Sequence, residues 1–507
     1  MLQNLILNID AGMIDWSRAQ FALTAIYHWL FVPLTLGLAV IMGIAETKYY
    51  CTKDEFWKGA AKFWQKLFGV NFAMGVATGI ILEFEFGTNW SNYSWFVGDI
   101  FGAPLAVEGI VAFFMESTFV AVMFFGWKKV SPGFHLASTW LTGLGATISA
   151  WWILVANAWM QYPVGCVFNP DTMRNEMVSF AEVALSPFAV SKFCHTVTSS
   201  WIIGAIFCVG VCCWYLMKKR HTKLAIESMK IGAGVGLVAA LLAGGTGHKS
   251  GMDVAEVQPM KLAAMEALYD GGTEQGLKLI EGIEIPYALS IMATNDPKGY
   301  VPGINDLVNG YTTPDGKTEP SVEEKMARGK KAIEALAAYR KAKIEGEDAS
   351  QYLATLNDNM KYFGYGYLKN KTDVIPPVAV NFWAFRVMVG VGCLFILFFA
   401  VILAVTYKWP KALFGKRDIT ALPAWHYWVA IALIPLGYIG SECGWLVAEF
   451  GRQPWTIQDM LPTWASVSDL QSSSVIITFF LFLILFSTML AVEINILLKQ
   501  IKKGPEV

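Results

Sequence analysis

FALTAIYHWLFVPLTLGLAVIMGIA, residues 21–45, is the stretch that decides the fold. It contains no Asp, Glu, Lys or Arg. Wound as an α-helix it reaches about 37 Å, more than the ~30 Å hydrocarbon core of a bilayer. Comparable apolar windows recur at roughly 66–87, 104–127, 134–160, 188–217, 228–247, 378–405, 425–447 and 472–499. The expected fold class is therefore all-α: a polytopic membrane helical bundle of about nine transmembrane helices. Composition agrees, since 55% of the 507 residues are hydrophobic and only 16% are charged, against about 25% charged in soluble domains. A net charge of -1 gives no footing for nucleic acid.

Basic residues set the expected orientation. Lys48, Lys53, Lys58, Lys62 and Lys66 follow the first window, whereas TNWSNYSWFVGDIFGA (88–103) has neither Lys nor Arg. The alternation continues through WKK (127–129), KKRHTK (218–223) with Lys230, YKWPKALFGKR (407–417) and KQIKK (499–503). The intervening loops offer only Arg18, Arg174, Lys192 and Arg452. By the positive-inside rule the amino terminus is expected outside and the carboxy terminus in the cytoplasm. MLQNLILNIDAGMIDWSR (1–18) lacks a basic stretch followed by a cleavage site, so no removable signal peptide is read there.

One segment interrupts the pattern. Residues 248–377 are rich in Lys, Glu, Gly and Pro and form a large external loop, its later part (EEKMARGKKAIEALAAYRKAKI) patterned as a solvated helix. The chain thus divides into helices 1–6 (1–247), the external loop (248–377) and helices 7–9 (378–507). A connection that long is usually functional.

Ionisable side chains are expensive inside a bilayer, so each is a candidate for function. His28 lies about two turns into the first window and His195 near the outer end of the fifth. Arg386 and Met388 open the seventh, and Trp445, Glu449 and Arg452 close the eighth. Glu108 and Glu116 share the third, about 12 Å apart in depth and about 80° apart around the axis if the helix is regular. Glu83 and Glu85 end the second and are assigned to the cytoplasmic side. Each has a plain alternative: a lone histidine often joins two helices by a hydrogen bond, a methionine usually only packs, and Glu449 and Arg452 neutralise each other. Jointly they are harder to dismiss, because His28, Glu108, His195, Arg386, Met388 and Glu449 all fall in the outer third of the membrane.

Histidine and methionine together suit a six-coordinate haem iron, and an open-faced haem suits O₂. His135, His221 and His248 are expected in loops and His426 at a boundary, which leaves too few intramembrane histidines for a haem–copper centre. There is no CxxCH for covalent haem. Six of the eight cysteines (194, 208, 212, 213, 393, 443) lie in or beside apolar stretches, where they behave as small hydrophobes. A transporter with ion-binding carboxylates is the rival class, but no internal repeat is visible and Pro33 and Pro435 stand alone.

SRAQFALTAIYHWLFVPLTLG (17–37), FGTNW (86–90), VGDIFGAPLAVEGIVAFFMEST (97–118), WILVANAWMQ (152–161), EMVSF (176–180), KLAAMEA (261–267), IPYAL (285–289) and VAEFGRQPW (447–455) resemble cytochrome bd quinol oxidase subunit I across nearly the whole chain. The resemblance implies a quinol:O₂ oxidoreductase of the bacterial inner membrane that makes water with cytoplasmic protons and generates a proton-motive force without pumping. It implies His195 and Met388 as axial ligands of a low-spin haem b, with Arg386 beside its propionates. His28 and Glu449 are implied as ligands of a high-spin haem b and a haem d, with the site of haem d open between them and a b-haem-only relative as the near alternative. Trp445 is implied as an aromatic between haems. Glu108 and Glu116, with Ser149 and Asn157, are implied as proton-path residues, and Lys261 and Glu266 as the quinol-oxidation pair in a long Q-loop. Implied partners are subunit II, in some complexes a small single-span subunit, ubiquinol or menaquinol, O₂ and the lipid bilayer.

Overall fold

The computed structural model describes residues 11–280, 282–414 and 417–505. The reading of the amino-terminal ten residues therefore lies outside the described residues. Among the described residues nine helices are long and apolar enough to cross a membrane. They are α1 (Ala11–Thr52), α2 (Glu55–Thr88), α3 (Gly98–Phe125), α4 (Pro132–Gln161), α5 (Pro187–Met217), α6 (Thr222–Val257), α9 (Val378–Tyr407), α10 (Ala424–Phe450) and α11 (Ser472–Lys503). Two loop helices, α7 (Pro259–Glu266) and α8 (Val322–Glu345), complete the set used below. Among the described residues, strands are confined to four short two-stranded ladders outside the membrane helices. The all-α membrane bundle expected from hydropathy is the fold observed.

Several helices outrun their windows. α6 continues without a break to Val257, ten residues past the expected end of its span. At 1.5 Å per residue its 36 residues reach about 54 Å, so the helix stands well clear of the hydrocarbon. Ser131, Ser186 and Ser321 cap α4, α5 and α8 by accepting a backbone N–H.

α5 is the hub, packed against α1, α6 and α10. At its crossing with α1 the backbones touch: a Cβ placed on Gly37 would lie 2.5 Å from the Cα of Gly204. Only glycine permits that approach, as at other small-residue crossings in membranes. α1 to α4 form one group, and α5, α6, α9 and α10 close a second in which α5 and α9 sit diagonally, each flanked by α6 and α10. α11 lies outside, against α1 and α2.

The half of the bundle remote from the loop is a dry core built from residues such as Leu38, Trp64, Phe68, Ile206, Val209, Phe395 and Phe399. The half nearer the loop has its own apolar cluster, around Trp90, Phe101, Trp159 and Phe188, and there the polar candidates also gather. The segment after α10 is stitched to the loop by Gly364 N–H to the Asp459 carbonyl (3.0 Å) and Tyr365 hydroxyl to the Asp459 carboxylate (3.0 Å).

Two sequence expectations are corrected. Glu83 and Glu85 are not on the side opposite the loop: Glu85 accepts from Thr24 (2.5 Å) near the start of α1, and Ser468, which donates to the Thr88 carbonyl, holds that end of α2 on the loop side. The end of α2 and the loop therefore share one side of the bundle, whereas the sequence expectation puts them on opposite sides. His135 and His248 are not loop residues but lie within α4 and α6. His135 is buried, with Nδ1 2.6 Å from Glu46 and its ring against Trp127.

Candidate functional site

A cavity of about 840 Å³ opens between α1, α2, α3, α4 and α10. That is toward the upper end of the ~300–1,000 Å³ usual for small-molecule and cofactor sites. His28, Glu108, Glu116, Trp445, Glu449 and Arg452 all line it.

Glu108 and Glu116 reach it together because α3 is not regular. Residues Glu108–Phe113 form a π-helical stretch, which adds one residue to a turn. Eight residues then rotate like seven, so the two carboxylates lie within about 20° of one face rather than the 80° expected. The Glu108 carboxylate accepts from Ser149 on α4 (2.5 Å). Glu116 fits because position 145 is glycine: a Cβ there would come within 2.6 Å of its Cγ.

His28 and His195 are mounted alike. Nδ1 of His28 lies 3.0 Å from the Thr78 hydroxyl, and Nδ1 of His195 lies 3.2 Å from the Thr246 hydroxyl. Each threonine spends its own proton on its helix, Thr78 on the Met74 and Gly75 carbonyls and Thr246 on those of Leu242 and Ala243. Each hydroxyl therefore accepts from the imidazole, which fixes the proton on Nδ1 and leaves the Nε2 lone pair free for a metal. Glycine follows each threonine and clears the ring: Cβ atoms on Gly79 and Gly247 would meet the imidazole Cε1 atoms at 3.0 and 3.2 Å. Met388 is accommodated in the same way, its Sδ lying 3.1 Å from where a Gly444 Cβ would stand. His195 and Met388 are outside the cavity lining and sit on the diagonal helices α5 and α9.

At the loop end of the cavity one carboxylate meets three cations. Arg452 pairs with Glu449 through Oε2, and Asn157 donates to Oε1 (2.9 Å). Asn157 Oδ1 accepts from Lys192 (2.8 Å) and from Gln161 (2.9 Å), and Gln161 in turn accepts from Lys261 (2.6 Å). The chain Lys261–Gln161–Asn157–Glu449 thus runs from α7 in the loop to the end of α10. Burial, with Lys192 nearby, pushes the Lys261 ammonium well below its ordinary range.

Glu266 and Lys261 are not paired with each other. Oε2 of Glu266 takes Arg386 at 2.7 Å, while its Oε1 is buried without a partner. Burial outweighs Arg386 and pushes the Glu266 carboxyl up to about 7. Arg386 also donates to the Lys278 carbonyl (Nε, 3.0 Å) and to that of Met265. The site therefore has two parts, a cavity with His28 and Glu449, and a diagonal pair with Arg386 and Glu266 beside it.

The profile described as cytochrome bd terminal oxidase subunit I matches residues 16–505. The chain belongs to that family. It is 40% identical to cytochrome bd-II ubiquinol oxidase subunit 1 of Escherichia coli (strain K12), over 97% of each chain. It is 35% identical to cytochrome bd ubiquinol oxidase subunit 1 of Bacillus subtilis (strain 168), over 97% of this chain and 94% of that one. The bd oxidase structure from Geobacillus thermodenitrificans has the same fold, with a TM-score of 0.76 at 23% identity over 97% of this chain and 99% of that one.

Membership of the cytochrome bd family implies haem, and the residues present fit it. Two histidines carry free Nε2 atoms, and Arg452 and Lys192 crowd the single carboxylate of Glu449 with donors directed at the cavity end. A group bearing propionates would meet those donors. Sequence reasoning missed Lys192, Thr78, Thr246 and a further cavity carboxylate, Glu442. The Thr–Gly pairs at 78–79 and 246–247 were the available signal for the histidine mounts.

Proposed function

We propose that this chain is the haem-carrying subunit of a quinol oxidase that oxidises quinol on the loop side and reduces O₂ to water. The observation that carries the quinol side is Glu266: one oxygen held by Arg386, the other buried with no partner. A quinol hydroxyl donating to Oε1 would satisfy it, and Glu266 would accept the proton as quinol is oxidised. Lys261, depressed by burial, would orient the second oxygen of the quinone ring.

His195 and Met388 would hold a low-spin haem b, with Arg386 and Glu266 against the same turn of α9. His28 and Glu449 would hold a high-spin haem b and a haem d, with Trp445 between and Arg452 and Lys192 beside their acidic groups. When bound, these haems supply the electron path and the iron that takes O₂. Glu108 and Glu116, brought to one face by the π stretch, would hand protons into the cavity from the cytoplasmic side, because a path through hydrocarbon needs ionisable or polar groups. Releasing protons on one side and consuming them from the other separates charge without a pump. This orientation puts the amino terminus and Q-loop outside a bacterial inner membrane and the carboxy terminus inside. A haem-free subunit II, with or without a single-span peptide, would complete the complex; the quinol is ubiquinol or menaquinol.

The purified complex tests this directly. Its dithionite-reduced spectrum should show b-type bands and a band well to their red; b bands alone would indicate a b-haem relative, and no haem absorbance would sink the reading. Lys261→Ala and Glu266→Gln should impair quinol-driven oxygen consumption while an artificial donor still supports it and the haem spectra are unchanged. Equal loss with both donors would move these residues out of quinol oxidation.

A further inference from the structure

We propose that Glu442 is a proton-carrying carboxylate of the cavity, supplied from the far membrane face through Tyr438 and Glu493, on a line separate from Glu108 and Glu116. The inference rests on the reading of the cavity as the place where oxygen is reduced.

Glu442 stands seven residues before Glu449 on α10, which places it about 10 Å deeper and within about 20° of the same face. It lines the cavity together with His28 and Trp445. Its position relative to His28 is fixed by the neighbouring side chains. Trp29, next to His28, donates Nε1–H to the hydroxyl of Ser441 (2.8 Å), and its ring meets Trp445 edge-on at 5.1 Å. The turn of α1 that bears His28 and the turn of α10 that bears Glu442 are thereby clamped together.

What separates Glu442 from a structural acid is its bonding. Glu46, the buried carboxylate between α1 and α4, has both oxygens occupied: Oε1 by His135 (2.6 Å), Oε2 by Gln65 (2.9 Å) and Thr139 (2.6 Å). Such a group is a brace, with no site left for an exchanging proton. Glu442 keeps Oε1 buried with no protein partner at all. A buried unpaired acceptor costs stability, and in a membrane such an ionisable group marks a functional position.

A route to it exists on the side away from the loop. Tyr438 lies one turn deeper on α10, about 40° round from Glu442, and is half-buried, within electrostatic reach of Glu493 on α11. Glu493 is 3% exposed, although α11 otherwise shows Ile477, Phe480, Leu481 and Ile484 outward. It stands ten residues before Lys503 on the end of α11 that carries Lys499 and Lys502. The sequence Glu493, Tyr438, Glu442 thus steps from the basic end of the bundle to the cavity. In the proposed step the Glu442 O–H breaks as its proton goes to water or reduced oxygen in the cavity. The carboxylate left behind is reprotonated from the Tyr438 side, so Glu442 is unchanged over a turnover and the electrons come from quinol.

The test uses the intact, haem-loaded complex with Glu442→Gln, Glu442→Asp and Glu493→Gln. The reduced-minus-oxidised infrared difference spectrum should lose a protonated-carboxyl band in Glu442→Gln and show it shifted in Glu442→Asp. Turnover should fall about tenfold or more in Glu442→Gln, the scale of a lost proton-transfer group, and largely recover in Glu442→Asp. Glu493→Gln should slow turnover while keeping the Glu442 band. Glu442→Gln with full haem content, parental turnover and an unchanged infrared spectrum would overturn the proposal. So would loss of haem from Glu442→Gln alone, which would make the residue a structural part of the cavity wall. Absence of haem from the parental complex would instead overturn the functional reading on which the proposal stands.

Discussion

Around His28 the helices α1 to α4 and α10 leave about 840 Å³ of open volume faced by Glu108, Glu116, Glu442 and Glu449. Around His195 the helices α5, α6, α9 and α10 close on themselves, and the acid beside Arg386, Glu266, comes from the loop and is already held by that arginine. Yet the two imidazoles are anchored by the same device, a threonine on Nδ1 and a glycine beside the ring. The mount is common; the room in front of it differs. With His28 as a single protein ligand, as proposed, the open space and several carboxylates would suit a centre that must admit O₂ and protons. His195 and Met388 as two ligands on diagonal helices, as proposed, would suit one that passes electrons only.

The comparison breaks most visibly at Glu449. Glu449→Ala would leave Arg452 buried beside Lys192 with no counter-charge, and losing one partner of a buried pair costs about 3–5 kcal/mol. Thermal unfolding should fall accordingly, and the reduced spectrum should lose a cavity haem while the low-spin bands persist. Simultaneous loss of the low-spin bands would show that the two regions are not separable. A smaller effect, about 10- to 100-fold in haem affinity or activity, is expected from Thr78→Val and Thr246→Val, which keep the shape and delete the acceptor of Nδ1–H. Haem content and reduction potentials should change at the cavity in the first variant and at the low-spin site in the second. If both variants alter the same haem, the one-mount-per-site picture is wrong.

Met388→Leu nearly conserves volume and should cost less than about 1.5 kcal/mol of stability. The low-spin spectrum should nonetheless convert to a five-coordinate or water-ligated form with a lower potential; an unaltered spectrum would reduce Met388 to packing. The mildest change concerns pH. Burial raises the Glu266 carboxyl to about 7, so its proton-accepting form is lost as pH falls through about 7 and returns as pH rises. Quinol-driven turnover should show an acid limb there, absent from the residual activity of Glu266→Gln and from turnover with a donor that bypasses quinol.

The spans were legible because a run such as Phe21–Ala45 has one physical explanation. Their ends were not, since α6 keeps helical geometry to Val257 where hydropathy no longer reports on it. Of the site, His28, His195, Glu108 and Glu449 stood out as ionisable groups in apolar windows. The alignment of Glu108 with Glu116 was hidden, because a π turn leaves no mark in periodicity over six residues. The Glu46–His135 contact was hidden for another reason: each sits at the edge of a span, 89 residues apart, and reads alone as an interfacial charge. Lys192, counted as a loop cation, is the fourth residue after Phe188 in a helix that has already begun, and its ammonium turns inward to Asn157.

Arg386 reaches from α9 to Glu266, to the Met265 carbonyl and to the Lys278 carbonyl, joining three points of the segment between α6 and α9 to a position two residues from Met388. Modularity ends at that side chain. A chimera that imports a relative's loop but mismatches the carbonyls at 265 and 278 would strand a buried guanidinium at the turn bearing Met388. Such grafts should register first as a displaced low-spin potential, before any change in quinol preference. Loop exchanges that keep 265–278 native, and vary only the outlying stretch around α8, should be silent at that potential.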